Sequence, residues 1–235
     1  NFEPEYWASE SEYIYNSNNR LFKTESQGCV YSHDGGGYMT AAFNCKAPDV
    51  AGSSVTYSIE FVYNAKGQLV QGTRILSNGT THVRAFEYDP LGRMVRKIDE
   101  LGNVLEEMHY GLAPFPMSVT LNGVTYDLVY ANGQLVAKVH AETGAVTFYH
   151  QDRRTNNRLL TDASGNIVSH DATGAFGTFA TLPYGQPRGD LDDLNYYYDS
   201  SKNYDHGLGL YDFGERQYDP NLGRFIAPDK YAEKM

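Results

Sequence analysis

Tryptophan, cysteine and positive charge are scarce in this chain. Of its 235 residues one is Trp, two are Cys, and 19 are Lys or Arg against 29 Asp or Glu. The net charge of −10 argues against a nucleic-acid partner, whose binding depends on neutralising phosphates with basic side chains. The same charge keeps a β surface soluble. No apolar run approaches the roughly 18 residues that mark a spanning helix, so no segment reads as a membrane span. Two cysteines without metal-type spacing make zinc a poor reading. A disulfide between Cys29 and Cys45 would close a loop around Gly35 to Gly37 and stabilise by about 3 kcal/mol. Two buried thiols fit the sequence equally well. The seven histidines are dispersed, and neither a Gly-x-Ser-x-Gly elbow nor a phosphate loop occurs. No cofactor and no metal are therefore expected. The acidic run Asp190, Asp192, Asp193 lacks the ligand spacing of a calcium loop and reads as a solvated loop. The chain opens at Asn1 with neither an initiator Met nor a signal-peptide pattern, and reads as a piece of a longer polypeptide.

What is abundant is tyrosine, with 20 residues, and glycine, with 23. Tyrosine buries a large ring and keeps a polar tip, which suits thin sheets packed on one side and wet on the other. The glycines punctuate the chain. FVYNAKGQLV (61–70), EYDPLGRMVRKIDELGNVLEEMHY (87–110), VYANGQLVAKVHAETGAVTFYH (129–150) and LLTDASGNIV (159–168) share one plan. A strand end meets a short polar turn, then Gly, then a polar residue, then an aliphatic pair. The unit is about 10 residues for a strand plus its turn, as from Gly92 to Gly102.

The turns have a mechanism. Asn122-Gly123 and Asn132-Gly133 supply the positive φ angles of tight hairpins. Asp89-Pro90-Leu91-Gly92 puts Pro where its fixed φ already suits a turn. Val124, Tyr126, Leu128 and Tyr130 fall on one face of a strand, with Thr125 and Asp127 on the other. The one helix-like run, Ile98 to His109, is broken by Gly102 and stays in phase with the repeat, so it reads as strand. Residues 1–60 read as an N-terminal β segment, either a continuation of the strip or a docking piece. Trp7, Tyr13 and Tyr15 suggest a first strand, Ser17 to Arg20 and His33 to Gly37 two turns, and Pro48 to Ser54 a loop. Residues 61–170 carry the repeats. Residues 171–205 read as an irregular connection opening a third region, 171–235. The fold class is all-β, a series of antiparallel hairpins.

YDPLGRMV and IDELGNVL resemble Tyr-Asp repeats. RLLTDASGNIVSHDATGAFG (158–177), followed by GLYDFGERQYDPNLGRFIAPD (209–229), resembles the core region of the RHS-repeat family. The resemblance covers residues 61–229 and is most specific in the last block, where many positions of an irregular pattern agree together. It implies a strip of hairpins spiralling into part of a hollow β-shell, capped by the core at 171–235. It further implies bacterial toxin shells that enclose a C-terminal toxin domain, secreted or at the cell surface, and related adhesion shells. The implied partners are the rest of the shell, or a partner shell protein, and the enclosed toxin. Many such cores cut the chain just beyond themselves with a pair of aspartates, an intramolecular aspartyl protease in which two carboxyls share a proton. The matching positions are Asp219 and Asp229, with Arg216 and Arg224 as supports. The residues also allow Asp219 to cap a turn before Pro220, as Asp89 does before Pro90. After Asp229 the chain reads Lys230-Tyr231-Ala232, where many self-cleaving relatives carry a Pro and then Gly-Leu. A binding or adhesion module without toxin cargo is the competing expectation.

Overall fold

Short polar turns between aromatic and aliphatic runs leave the backbone no choice but adjacent antiparallel pairing. A computed structural model, describing residues 13–25, 28–46, 55–151, 157–170 and 203–229, contains a sheet built this way throughout. Its strands are β1 (Tyr13–Tyr15), β2 (Leu21–Thr24), β3 (Val30–His33), β4 (Met39–Lys46) and β5 (Thr56–Tyr63). There follow β6 (Leu69–Leu76), β7 (Thr81–Tyr88), β8 (Met94–Ile98), β9 (Val104–Tyr110) and β10 (Pro116–Leu121). The sheet ends with β11 (Val124–Ala131), β12 (Gln134–His140), β13 (Val146–Gln151), β14 (Asn157–Asp162) and β15 (Ile167–His170). The 15 strands lie in chain order, each paired with its sequence neighbours. The run from Ile98 to His109 is split between β8 and β9 with Gly102 in the turn, as its phase required. The strands before residue 61 join the same sheet as those after it. Trp7, the Pro48 to Ser54 loop and the connection at 171–202 lie outside the described residues.

One turn recurs. Asn64, Asp99 and Asp162 each use Oδ1 to accept from the backbone N–H groups two and four residues on, at 2.8–3.1 Å. Gly67, Gly102 and Gly165, three residues on, take φ of 76°, 85° and 84°. Asp89 with Gly92 at 86° repeats the design. The Asx side chain thus folds the turn and the glycine absorbs the left-handed step. The tighter hairpins at Asn122-Gly123 (φ 48° and 84°) and Asn132-Gly133 (φ 51° and 77°) have two-residue loops. Asn122→Ala should cost about 1 kcal/mol, because a Cβ opposes the left-handed conformation, while Asn122→Gly should be nearly neutral. Chemical denaturation separates the two.

One face of the sheet is apolar. Leu69, Met94, Val119, Leu135 and Leu160 are fully covered there; Leu128 of β11 and the partly buried Tyr126 and Tyr130 pack with them as alternation suggests, while Val124, at the start of the strand, is exposed. A second sheet of four strands, β16 (Asn203–Asp205), β17 (Leu210–Asp212), β18 (Gln217–Asp219) and β19 (Arg224–Phe225), packs on this face. Leu208, Leu210, Leu222 and Ile226 belong to the same apolar cluster as the long sheet. Cys29 and Cys45 are joined by a disulfide across the β3–β4 hairpin, with Cα atoms 4.4 Å apart. Cys45→Ser should therefore lower stability by about 3 kcal/mol, the chain-entropy value for a loop of this length, read as a drop in melting temperature that reductant reproduces in the wild type.

Candidate functional site

The site is the seat of the 203–229 block on the long sheet. Asp205 ends β16 at a turn, where its Oδ1 accepts from Leu208 N–H at 2.8 Å. That leaves Oδ2 facing the sheet, where Lys97 Nζ lies at 3.1 Å and Arg84 Nε at 3.3 Å. Lys97 also holds Glu106 at 2.9 Å, and Arg84 reaches Glu100 at 3.7 Å. Register explains the cluster: Phe86 is opposite Lys97, Lys97 opposite Glu106, and Glu106 opposite Leu121, so the two charges stand in an otherwise apolar row. Burial alone would raise the Asp205 pKa, but Lys97 and Arg84 outweigh it and hold the carboxyl down at about 2. Burial likewise works against the Lys97 ammonium, and Glu106 with Asp205 overturn it and keep the amine above its ordinary range.

Shape completes the seat. A Cβ on Gly72 in β6 would lie 2.6 Å from Leu208 Cδ1, so the absent side chain is the notch that receives Leu208. A Cβ on Gly207 would collide with Arg84 Nη2, so the guanidinium passes over bare backbone. Ile226 accepts from Met39 N–H at 2.9 Å and Tyr63 Oη donates to Met39 O at 3.0 Å. Tyr13 Oη donates to Leu222 O at 3.2 Å. Within the block, Phe213, Tyr218 and Phe225 form a ring triangle with centroids 5.4–5.5 Å apart.

The four residues singled out from the core motif have two different surroundings. Asp219 is buried, and its Oδ1 accepts from Asn221 N–H at 2.8 Å and Leu222 N–H at 3.3 Å, the geometry of a turn cap. Arg224 lies opposite it in β19 and donates to Tyr15 Oη at 3.3 Å. Arg216 and Asp229 form an ion pair at 3.3 Å, with the guanidinium 3.9 Å above the Phe225 ring. That pair lines a cleft of about 430 Å³ between the Gly67 and Gly92 turns and the end of the block. Among the described residues no group of three or more His, Cys, Asp or Glu could hold a metal ion, and no helix is long and apolar enough to cross a membrane. Asp190, Asp192 and Asp193 lie outside the described residues.

Sequence reasoning missed Arg84, Lys97, Glu106 and Asp205. The available signal was Asp205-His-Gly-Leu-Gly, another Asx turn, and the apolar partners flanking Lys97 and Glu106 once register is known.

Among the described residues, fifteen serial strands with the 203–229 block folded onto their covered face define a strip of hairpins. The chain belongs to the Teneurin YD-shell family, which matches residues 6–235 and so extends past the motifs to the N-terminal strands. Teneurin-3 of Mus musculus is 27% identical over 190 residues, covering 72% of this chain and 6% of that protein. The crystal structure of TcdB2-TccC3 without its hypervariable C-terminal region covers 93% of this chain at a TM-score of 0.41 and 13% identity, over 16% of its own chain. The Photorhabdus luminescens Tc holotoxin pore with a mutated TccC3 covers 94% at a TM-score of 0.38 and 12% identity, over 15% of its own chain. This chain therefore spans a small part of each.

Proposed function

We propose that this chain is the C-terminal wall of a larger β-shell that encloses a toxin domain and helps deliver it. The observation carrying the reading is the clamp of Asp205 between Arg84 and Lys97, which fixes the 203–229 block on the covered face of the strip. Under this reading the covered face is the inner side of the shell, and the toxin domain follows the block. Among the described residues β1 and β15 are the edges of the sheet, and open edges invite pairing. Further hairpins of the same polypeptide, or a partner shell protein, would close them. Containment is then steric, keeping the toxin away from the producing cell. The Cys29–Cys45 disulfide suits an oxidising compartment, in keeping with export from a bacterium by secretion or to its surface. Autoproteolysis by Asp219 and Asp229, supported by Arg216 and Arg224, is the finest part of the reading.

The test is intact mass and terminal sequencing of the polypeptides made from the complete gene. A second fragment beginning beyond Asp229, co-purifying with the shell and resisting protease until the shell is denatured, is the expected result. One uncut chain with no further domain removes the cargo. Asp219→Asn and Asp229→Asn should each leave an uncut precursor, and normal cutting in both assigns these residues to structure alone.

An adhesion module is the second reading, favoured by the opposite face. Val129, Ala137 and Phe148 stand side by side across β11, β12 and β13, with Val129 and Phe148 about two-fifths exposed (42% and 41%). Ser at both exposed positions should abolish cell-surface binding under this reading and leave a toxin shell unaffected.

A further inference from the structure

We propose that Tyr13 and Tyr15 of β1 are positioning residues for the cleavage assigned to Asp219 and Asp229. The inference rests on the autoproteolytic part of the proposed function and names what holds its geometry. Asp219 ends β18, and Arg224 opens β19 opposite it across a turn. Asp219 Oδ1 accepts from the N–H groups of Asn221 and Leu222 in that turn. With three residues in one strand and two in the other, this hairpin is too short to hold itself. The first strand of the strip supplies the support. Tyr13 Oη donates to Leu222 O at 3.2 Å, so it grips the same residue whose N–H meets the Asp219 carboxylate. Tyr15 Oη accepts from Arg224 Nη1 at 3.3 Å, with the guanidinium carbon 5.8 Å from the Tyr15 ring centre. Both bonds span 209 residues. Tyr31 of β3 lies in the same zone: burial pushes its phenol pKa up, and the Asp219 charge pushes the same way.

Hydrolysis by two carboxyls depends on placement. The water oxygen bonds to the scissile carbonyl carbon while one carboxylate takes the water proton. The other carboxyl gives its proton to the amide nitrogen as the carbon–nitrogen bond breaks. A misplacement of about 1 Å costs such a step on the order of 100-fold. The two aspartates lie on either side of the β18–β19 turn in the chain, and Phe225, next to Arg224, carries the guanidinium that pairs with Asp229. Freeing Leu222 and Arg224 therefore loosens both carboxyls. Among the described residues β1 is three residues long and pairs with β2 alone, so its grip is lost whenever that edge frays. Cutting then waits for the N-terminal edge of the strip to be in place.

The experiment follows cell-free synthesis of the complete gene product on denaturing gels and reads the first-order rate of precursor conversion. Tyr13→Phe and Tyr15→Phe should each slow it on the order of tenfold or more. Their melting temperatures, compared in an Asp229→Asn background where every chain is uncut, should stay within about 4 °C of the parent. Arg224→Ala should also slow conversion, and adding Tyr15→Phe to it should change nothing further, because Tyr15 acts through that guanidinium. Conversion at the wild-type rate in both tyrosine variants overturns the inference and leaves the cleavage reading standing. Slowing matched by a large fall in melting temperature, or full additivity with Arg224→Ala, also overturns it, since the tyrosines then serve folding alone. A wild-type precursor that is never cut removes the cleavage reading and this inference together.

Discussion

Asp205→Ala should release the 203–229 block and lower stability by about 3–5 kcal/mol, the range for removing one member of a buried charge group. The substitution leaves the Lys97 ammonium beside a single carboxylate and takes from Arg84 its contact with the block. It also removes the acceptor for Leu208 N–H. For a chain of this size the melting temperature should fall on the order of 10 °C. The loss depends on pH, with a definite sign. The Asp205 pKa is depressed from 3.8 to about 2 in the folded state, so the unfolded chain takes up the proton first. The stabilisation is complete above pH 4 and disappears as pH falls through that window towards 2. Melts of the wild type and Asp205→Asn should differ fully at pH 7 and converge near pH 2. Near-ultraviolet dichroism from the packed Tyr204 and Tyr211 rings, 4.8 Å apart, reports whether the block itself is ordered. A variant within about 1 kcal/mol of the wild type at pH 7 would show that the clamp is not what seats the block.

Gly72→Ala should destabilise by about 1–3 kcal/mol, although Gly to Ala inside an ordinary strand is favourable. The new methyl meets Leu208, which is buried at 3% exposure and has little room to turn away. Leu208→Ala alone should cost about 2–5 kcal/mol through the cavity it leaves. The two changes should not add. With Leu208 shortened, the Gly72 methyl fills part of the vacated space, so the double variant should be at least as stable as Leu208→Ala. Additive losses in denaturant titrations would mean that the notch and the leucine do not meet.

Local chemistry was legible and long-range chemistry was not. The Asx turns at Asn64, Asp89, Asp99 and Asp162 are written in four or five consecutive residues, and each sets the register of its own hairpin. Alternation then assigns faces, as in β11. The seat of the block depends on contacts between residues far apart, such as Arg84 with Asp205 at a separation of 121. No window of sequence contains both. Lys97 and Glu106 carry no local mark of burial, because nothing near them in sequence says that Asp205 returns to meet them. Cys29 and Cys45 left two readings open, since spacing fixes a loop length but not which strand faces place the sulfurs together. The motif gave the positions of Asp219 and Asp229, while Tyr15 and Phe225, which hold the neighbouring Arg224 and Arg216, lie outside it or take a role in it that no local pattern shows.

Pairing in strict chain order has a kinetic consequence. Each hairpin can close as soon as its own residues exist, so assembly of the strip follows synthesis from the N-terminal end with short loop closures throughout. The block is different. Tyr13 must wait for Leu222, 209 residues later, before its hydroxyl finds its acceptor. The apolar face of the growing strip stays uncovered until residues 203–229 are made, and that block then seals it. A ribosome stalled before residue 203 would display a paired but sticky sheet, and a holding chaperone would find its target there.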